Sequence, residues 1–417
     1  MIKIMGMLSW QLVEKLTSML LIFFVSVKMA NFYGSDLYGQ YTFLLSVVAL
    51  TAIFQELISK KVVIKEFIDG RQLSIIMVSF FSKTVLYLII FIPTLLVVFV
   101  FWDSSGYVLL LAICINEMVK VLMFPYEVYC ESKLKFHILS KVNIFFSCCL
   151  FCVQFYCVYV GLGIEFVVYV SIIIGLLRAC MMPFFLRLDG DSLKLHYEFS
   201  KLVLFDIVSK SKYLSISFIY YITYSEMDKV MIGIFGGVSD VAIYSIANQY
   251  ILALCVFIPI IQKTIFPILA SKKNELKKVF VNYNGIITWV YIFLIPVSIF
   301  GANLIIKNFY ISDYWSAITV FNVLTVGVLF VANGSLRVSY LTIENKTKIL
   351  MYVALIGTFL NIFLNILLIH FVGFLGAAIA TVITQAITSS FVYLFFSGYK
   401  KIFFMQLKSL FFWRYWK

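Results

Sequence analysis

Long apolar runs, separated by short polar connections, follow one another along the whole chain. Twelve of these runs are long enough for a helix to cross a bilayer, which takes about 20 apolar residues. Strands of a transmembrane barrel would alternate polar and apolar positions, so continuous apolar runs predict helices. The predicted spans are 8–30, 38–59, 75–101, 106–129, 142–160, 164–186, 202–224, 240–270, 284–306, 316–341, 349–371 and 374–397.

Composition agrees with this pattern. Hydrophobic residues make up 63% of the 417 and charged residues 13%, whereas soluble domains are roughly half apolar and about a quarter charged. The chain is therefore predicted to be an all-α polytopic membrane protein. The eight cysteines lie in or at the ends of apolar runs and show no metal-ligand spacing, so no metal site is expected.

The basic residues indicate which side of the membrane each connection occupies. Of the 33 lysines and arginines, 22 lie in the N-terminus, the C-terminal tail and one alternate set of connections, and the other set holds only Lys229 and Lys307. Cytoplasmic connections carry such an excess. Both termini are therefore predicted to be cytoplasmic. The net charge of +13 follows from this topology and from attraction to anionic lipid, so nucleic acid is not an expected partner.

Two pairs of similar segments predict an internal repeat. "GSDLYGQYT" from Gly34 and "GVSDVAIYS" from Gly237 both place a tyrosine seven residues after the glycine. "VGLGIEFVVYV" (160–170) and "VGFLGAAIATV" (372–382) each begin the last helix of a half. Both pairs keep the same side of the membrane. They therefore predict two six-helix lobes related by a pseudo-twofold axis along the membrane normal.

The repeat also predicts the domain organisation. The N-terminal lobe would comprise residues 1–187, a cytoplasmic linker residues 188–200, and the C-terminal lobe residues 201–399. Residues 400–417 would form a basic-aromatic cytoplasmic tail. Its mixture of lysines and aromatic residues is typical of an interfacial helix on the inner leaflet.

Nine cations lie inside the predicted spans, with five acids and two more, Glu165 and Asp240, in the first two residues of spans; the five are Glu14, Glu56, Glu117, Glu127 and Asp206. Ionisable groups within a membrane are costly and mark functional sites, although lysines near helix ends can reach the headgroups instead. If these groups face one cavity, its net positive charge favours an anionic passenger, and arginine matches phosphate oxygens with a two-pronged fork. The candidate substrate-binding cations are Lys28, Lys83, Lys120, Arg178, Lys210 and Arg337.

The seventh span carries a polar stripe along one helix face. Its members follow one another at steps of three and four residues, which suits the wall of a wet cavity. Its tyrosines, Tyr213, Tyr220 and Tyr224, offer flat faces and hydroxyls to sugar rings; the alternative is a face packed against neighbouring helices. Within spans, two acids are spaced to pair with a lysine of the same helix. The stripe is Asp206, Lys210, Tyr213, Ser217, Tyr220 and Tyr224, and the second acid is Glu117, three residues before Lys120.

The eleventh and twelfth spans combine asparagines with small residues. Asn361 and Asn365 lie one turn apart, and because polar groups facing lipid are costly, they should face protein or the cavity. Packing specificity is the favoured role over substrate contact. Gly373 would turn the chain, and Gly376 would let the last span approach its neighbours closely.

No enzyme pattern is present in the sequence. The three histidines are scattered, no phosphate-binding loop or nucleotide fingerprint occurs, and the connections are too short for an inserted catalytic domain. No cofactor is predicted. A transporter is the class that remains.

Three stretches, in order and together with twelve spans, resemble one known family. "VKMANFYGSDLYGQYTF" has Lys28 where that family often has arginine. "DKVMIGIFGGVSDVAIYSIANQY" matches at Asp228 and Tyr244, and "NIFLNILLIHFVGFLGAAIAT" matches at its asparagine pair and at Gly376. The chain is similar to the polysaccharide and O-antigen flippases (Wzx type) of the multidrug/oligosaccharidyl-lipid/polysaccharide (MOP) exporter superfamily.

The resemblance implies a function. The substrate would be an oligosaccharide on undecaprenyl pyrophosphate, the repeat unit of O-antigen in lipopolysaccharide, moved across the bacterial inner membrane by alternating access. The family is proposed to couple transport to a proton or sodium gradient, for which Asp206 and Glu117 are the candidate acids. Expected partners are membrane lipids and the polysaccharide polymerase and chain-length machinery, around a monomeric flippase.

One alternative remains open beside it: the passenger could be another lipid-linked glycan, of capsule or teichuronic type. A multidrug cation antiporter of the same superfamily would predict an acidic cavity, whereas the spans hold more cations than acids. An undecaprenyl-sugar polymerase would predict a large outer loop with arginines, which the sequence lacks.

Overall fold

A computed structural model describes residues 2–69, 74–101, 104–189, 200–344 and 346–414. In these ranges the regular structure is helical and contains no strand, so the predicted all-α fold is confirmed. The helices are α1 (Ile2–Ala52), α2 (Lys60–Ile68), α3 (Ser74–Phe101), α4 (Ser104–Val121), α5 (Phe124–Ser132), α6 (Phe136–Val160), α7 (Ile164–Leu188), α8 (Lys201–Phe235), α9 (Val238–Cys255), α10 (Phe257–Ser271), α11 (Leu276–Phe309), α12 (Ser316–Asn333), α13 (Arg337–Ile343), α14 (Lys348–Val372), α15 (Phe374–Ser389) and α16 (Lys400–Ser409).

Eight helical segments among the described residues are long and apolar enough to cross a membrane, which supports a multi-pass membrane protein. α15 and Ser74–Ile89 are shorter apolar helices. The count of twelve spans stays a prediction. The eight segments are Trp10–Ile68, Gly106–Ser132, Phe136–Val160, Ile164–Leu188, Val238–Ser271, Leu276–Phe309, Ser312–Ile343 and Lys348–Val372.

Glycines with positive φ break the chain at matching places of the predicted repeat. α1 bends at Gly34, where φ is 75°, and Gly237 before α9 has φ of 128°. Gly161 before α7 and Gly373 before α15 have φ of 84° and 65°. Glycine adopts these conformations readily, whereas an L-residue with a side chain is strained there. Gly34 and Gly237 also have similar ψ angles, 177° and 164°, whereas Gly161 and Gly373 share only the positive φ, with ψ of 27° and −147°. The pseudo-twofold relation of the lobes stays a prediction.

The eighth predicted span, 240–270, is interrupted one turn before Pro259. α9 ends at Cys255 and α10 begins at Phe257. Proline has no N–H to donate to the carbonyl four residues earlier, which here belongs to Cys255. The interruption lies where a proline-induced break is expected.

The chain divides into two compact units, Met1–Ile222 and Thr223–Lys417. The division falls within α8. Most of the predicted linker, 188–200, lies outside the described residues, and the lobe boundaries 1–187 and 201–399 stay a prediction.

In the first unit, α8 packs through small side chains. Ile207, Ser211 and Ser215 are at most 2% exposed. The Ser211 hydroxyl accepts a hydrogen bond from the backbone N–H of Ser59 at 3.2 Å, and the Ser215 hydroxyl donates to the carbonyl of Leu57 at 3.2 Å. These contacts fix the rotation of α8, and hence the direction of its polar stripe, in this unit.

In the second unit, the C-terminal tail docks against α11. Asn284 donates to the hydroxyl of Ser409 at 3.0 Å, and the Trp289 indole N–H donates to the carbonyl of Leu410 at 2.9 Å. A Cβ atom on Gly285 would collide with Ser409 and with the side chain of Phe412. The tail therefore has one protein-bound face, where the sequence indicated only an interfacial helix.

Candidate functional site

A buried carboxylate in the second unit receives four hydrogen bonds. Asp228, on α8, is 3% exposed. Its Oδ1 accepts from the amide of Asn361 at 3.1 Å and from that of Asn365 at 2.7 Å. Its Oδ2 accepts from the hydroxyl of Tyr244 at 2.6 Å and from that of Thr381. We call these five residues the Asp228 cluster.

The donors reach Asp228 because of local helix geometry. Asn361 and Asn365 lie one turn apart and thus on one face of α14. Gly373 turns the chain from α14 into α15, which carries Thr381. α15 can approach α14 because Gly376 has no side chain: a Cβ there would collide with the backbone of Leu368.

No cation neutralises Asp228 among the residues that the structure describes. The adjacent lysine, Lys229, pairs instead with Glu226 at 2.5 Å. Within the cluster the Asn365 amide donates to the Asn361 oxygen at 3.1 Å, and the Asn365 oxygen itself is buried without a hydrogen-bond partner. The cluster therefore surrounds a buried carboxyl group with neutral donors and leaves one acceptor unused.

The first unit has the same glycine-bounded junction but not the cluster. Tyr33 donates to the carbonyl of Leu162 at 2.7 Å, and the position matching Asp228 is the buried Val25. Aligning Gly34 with Gly237 and Gly161 with Gly373 gives the pairs Asp228–Val25, Tyr244–Tyr41, Asn361–Cys149, Asn365–Val153 and Thr381–Tyr169.

Three of the predicted substrate-binding cations are paired with carboxylates in the first unit. Lys83 is 4% exposed; its Nζ lies 3.4 Å from Glu56 Oε1 and 4.9 Å from the ring centroid of Phe124. Lys120 pairs with Glu117 on the same helix, as their spacing predicted. The third cation, Lys210, is described with the polar stripe.

The polar stripe of α8 forms ion pairs at its start. Lys210 Nζ lies 2.9 Å from Asp206 Oδ2 and 2.9 Å from Glu66 Oε1. The tyrosines differ in burial: Tyr213 is 62% exposed, whereas Tyr220 and Tyr224 are half-buried. The polar stripe therefore lies beside the face of α8 that packs through Ser211 and Ser215, and the two faces are distinct.

Three predicted cations have no carboxylate within ion-pair distance among the described residues. Lys28 is half-buried on α1. Arg178, on α7, approaches the Asn143 oxygen at 3.5 Å, and its Nε is buried without a partner. Asn143 in turn donates to Glu14 at 2.7 Å.

The third, Arg337, lies in the second unit at the start of α13. It donates to the carbonyl of Thr388 at 2.8 Å, and its guanidinium carbon lies 5.7 Å from the ring centroid of Tyr393. Its Nε is also buried without a partner. These contacts tie α13 to the end of α15, a packing role that the sequence did not indicate.

Sequence reasoning missed the acids that pair across helices. Glu56 and Glu66 lie far in sequence from Lys83 and Lys210, so helical spacing carries no signal for these pairs. Within the described residues, no group of three or more histidine, cysteine, aspartate or glutamate side chains could hold a metal ion.

Residues 29–315, more than half of the chain, match a family described as polysaccharide biosynthesis proteins. No curated protein gives a significant sequence match.

Solved structures share the fold over nearly the full length. One is a multidrug resistance MATE family transporter of the MOP superfamily, inward-facing, with a TM-score of 0.70 at 13% identity, covering 93% of this chain and 96% of that one. Another is the lipid II flippase MurJ, with a TM-score of 0.67 at 15% identity, covering 96% of both chains. A third is a MOP superfamily transporter from Pyrococcus furiosus, with a TM-score of 0.56 at 13% identity, covering 100% of this chain and 95% of that one.

The similarity to these solved structures shows the fold. The family match shows the family relationship that three sequence stretches predicted. The three solved structures are those of two transporters and a flippase. The chain therefore belongs to the family of polysaccharide biosynthesis proteins, and its fold is similar to that of MOP superfamily transporters.

Proposed function

We propose that the protein moves an O-antigen repeat unit, linked to undecaprenyl pyrophosphate, from the cytoplasmic to the periplasmic leaflet of a bacterial inner membrane. Transport proceeds by alternating access without covalent chemistry. The observation that carries the proposal is the match of residues 29–315 to polysaccharide biosynthesis proteins, on a chain that shares its fold with a lipid II flippase.

Charge supports an anionic lipid-linked passenger over a cationic drug. Lys28 and Arg178 are half-buried cations in membrane-spanning helices of the first unit, with no carboxylate within ion-pair distance among the described residues. Such charge within a membrane is costly unless it meets an anion during function. A pyrophosphate supplies that anion, and Arg178 can present its fork to the phosphate oxygens. A capsule or teichuronic-type glycan on the same carrier would satisfy the same cations.

Deletion of the gene in its native host, followed by complementation, tests this function. Undecaprenyl-linked oligosaccharide should accumulate in the deletion strain and surface polysaccharide should be lost, both reversed by the wild-type gene. Arg178→Ala, Lys28→Ala and Lys210→Ala should each lower surface polysaccharide at unchanged protein level, and Arg337→Ala should lower it together with the protein level because Arg337 also ties α13 to α15. Lys277→Ala, at an exposed position of α11, is the matched control and should display normally. Full display in all four variants would remove the cationic-passenger argument, and an unchanged glycan in the deletion strain would remove the function.

Ion coupling is better assigned to Asp228 than to the acids expected from the sequence. Asp206 and Glu117 both pair with lysines, so their charge is already neutralised in this conformation. Asp228 has only neutral donors, with the oxygens of both asparagines and the hydroxyl of Thr381 beside it. Hard cations take such oxygen ligands, and a proton would bind the same carboxylate. We propose that a proton or a sodium ion binds there during transport.

A binding measurement tests the coupling separately from transport. Because a ligand that binds only the folded protein raises its stability, sodium in place of choline should raise the unfolding temperature of the reconstituted wild type. Asp228→Asn should abolish that rise, whereas Asp206→Asn should keep it. If sodium has no effect but acidification changes the unfolding temperature through Asp228 alone, the bound ion is a proton. If neither ion acts through Asp228, the assignment fails and the flippase proposal stands on its own test.

A further inference from the structure

The helix of the C-terminal tail has two faces of different chemistry. One face is buried in the second unit and the opposite face is exposed. The buried face consists of Ile402, Met405, Gln406 and Ser409, none more than 6% exposed. The exposed face consists of Lys400, Phe404, Leu407, Lys408 and Phe411, which follow at steps of three, four and one along one side of the helix.

The buried face is held by directional contacts. Gln406 donates to the carbonyl of Ser389, the last residue of α15, at 2.9 Å. Lys401 lies 3.3 Å from Glu344 at the end of α13. With the bonds from Asn284 and Trp289 on α11, the tail is tied to the ends of three helices that the sequence predicts to lie on the cytoplasmic side. The outward direction of the other face is therefore fixed.

The exposed face has the composition of a membrane interface. Phe404 is 53%, Leu407 44%, Phe411 50% and Trp413 51% exposed, and lysines stand at both ends of the apolar group. Aromatic and aliphatic side chains of such helices enter the boundary between headgroups and acyl chains, and lysines pair with anionic lipid. Since α16 begins 11 residues after α15 ends at Ser389, the chain returns to the bilayer surface beside the last predicted span.

We propose that residues 400–413 bind the anionic headgroups of the cytoplasmic leaflet. Lys400 and Lys408 contact the phosphates, and Phe404, Leu407, Phe411 and Trp413 enter the interface. The opposite face of the tail contacts α11, α13 and α15. Anionic lipid bound to the tail therefore stabilises the cytoplasmic ends of these helices. The proposal concerns the lipid and does not depend on which glycan is carried.

Unfolding of the full chain in lipid nanodiscs tests the proposal. The two compositions are phosphatidylcholine alone and phosphatidylcholine with roughly a third phosphatidylglycerol, whose negative charge should attract the lysines. Phosphatidylglycerol should raise the unfolding temperature of the wild type by several degrees. Lys400→Gln with Lys408→Gln should lose at least half of that rise, and Lys400→Arg with Lys408→Arg should keep it.

The matched control is Lys277→Gln with Lys278→Gln, which removes the same charge from exposed positions of α11 and should keep the full rise. Brominated phosphatidylcholine should also quench the fluorescence of Trp413. The quenched component should be missing from the Trp413→Phe variant. Equal unfolding temperatures in the two lipids, or an equal loss in the control pair, would overturn the proposal. So would absence of quenching at Trp413, or protection of the tail from proteolysis in native membranes but not in nanodiscs, which would indicate a protein partner.

Discussion

The two glycine-bounded junctions have positive-φ glycines at matching positions, but different side chains lie between those glycines. In the first unit, Gly34 and Gly161 bound a junction filled by apolar side chains and closed by the Tyr33 bond to Leu162. In the second, Gly237 and Gly373 bound a junction that holds the Asp228 cluster. The repeat therefore preserves where the chain turns, while the buried charge occurs in only one copy.

This difference separates scaffold from chemistry. The positive-φ glycines are common to both junctions and serve the turn. A tyrosine follows the first glycine by seven residues in both, but Tyr244 donates to a carboxyl group whereas a valine stands at the position of that carboxyl group in the first unit. Features of one junction alone, the carboxylate and its asparagines, are the candidates for function. The candidate substrate-binding cations have the opposite distribution: five of the six lie in the first unit, whereas the Asp228 cluster lies in the second. Exchanging residues between matching positions tests this division.

The largest effect is expected from removing the shared acceptor. Asp228→Leu removes the shared acceptor of four buried donors. The Asn365 amide keeps its bond to Asn361, but each donor left unpaired costs about 1–3 kcal/mol, so folded protein should be nearly lost in a detergent extract. Val25→Leu, at the matching position, should change the yield little. Val25→Asp should be as damaging as Asp228→Leu, because Cys149 and Val153 stand at the positions of the two asparagine donors. Normal yield of Asp228→Leu would show that the cluster does not hold the second unit together.

Next comes the close approach of α15 to α14. Gly376→Ala places a methyl group against the backbone of Leu368, which cannot give way, so a loss of roughly 2–3 kcal/mol is expected from overpacking. Gly163→Ala, directly before α7, meets only the carboxylate end of Glu165, which can rotate aside. Unfolding temperatures of the two variants should differ clearly. Equal values would mean that the starts of α7 and α15 tolerate side chains alike.

A smaller effect is expected from the paired tyrosines. Tyr244→Phe removes one hydroxyl donor from Asp228 and should cost about 1–2 kcal/mol. Tyr41→Phe should cost less, because the Tyr41 ring lies 6.3 Å from that of Tyr38 and a valine replaces the carboxylate at its junction. Chemical denaturation of both variants measures the difference, and a larger loss for Tyr41→Phe would reverse the division drawn above.

The smallest effect concerns acid pH at the tail. Hydrogen bonds from Lys346 and then Lys401 lower the pKa of Glu344 from its ordinary 4.5. A lowered pKa in the folded state stabilises the protein above pH 4.5, and this contribution is lost as the pH falls through the lowered value. Because the pair is partly exposed, it should contribute under about 1 kcal/mol. Glu344→Gln should lower the unfolding temperature slightly at neutral pH, and this difference from the wild type should shrink as the pH falls below 4.5.

Much of the scaffold was predictable from local sequence. Apolar runs predicted the helices, and glycines at matching places predicted the paired turns, because both signals act over a few residues. The pairs Asp206–Lys210 and Glu117–Lys120 were predictable for the same reason. Asn361 and Asn365 were correctly expected to avoid lipid.

The contents of the site were not predictable in this way. Asp228 meets asparagines more than 130 residues later in the chain, and no periodicity links them. The packed face of α8 could not be chosen either, since serines at 211 and 215 are as polar as the stripe beside them. Only the tertiary arrangement decided that the serines face protein and that Tyr213 is largely exposed.

The positive-φ glycines at the turns determine the handedness of the residue that each turn can accept. At Gly34, Gly237 and Gly373 no heavy atom lies within 4 Å of where a side-chain carbon would stand, so space does not exclude a larger residue there. Only chirality does: with φ of 65° and ψ of −147°, Gly373 is the mirror image of ordinary extended backbone. A D-alanine introduced by semisynthesis should adopt these backbone angles without torsional strain, whereas L-alanine should not, despite the open space around its methyl group.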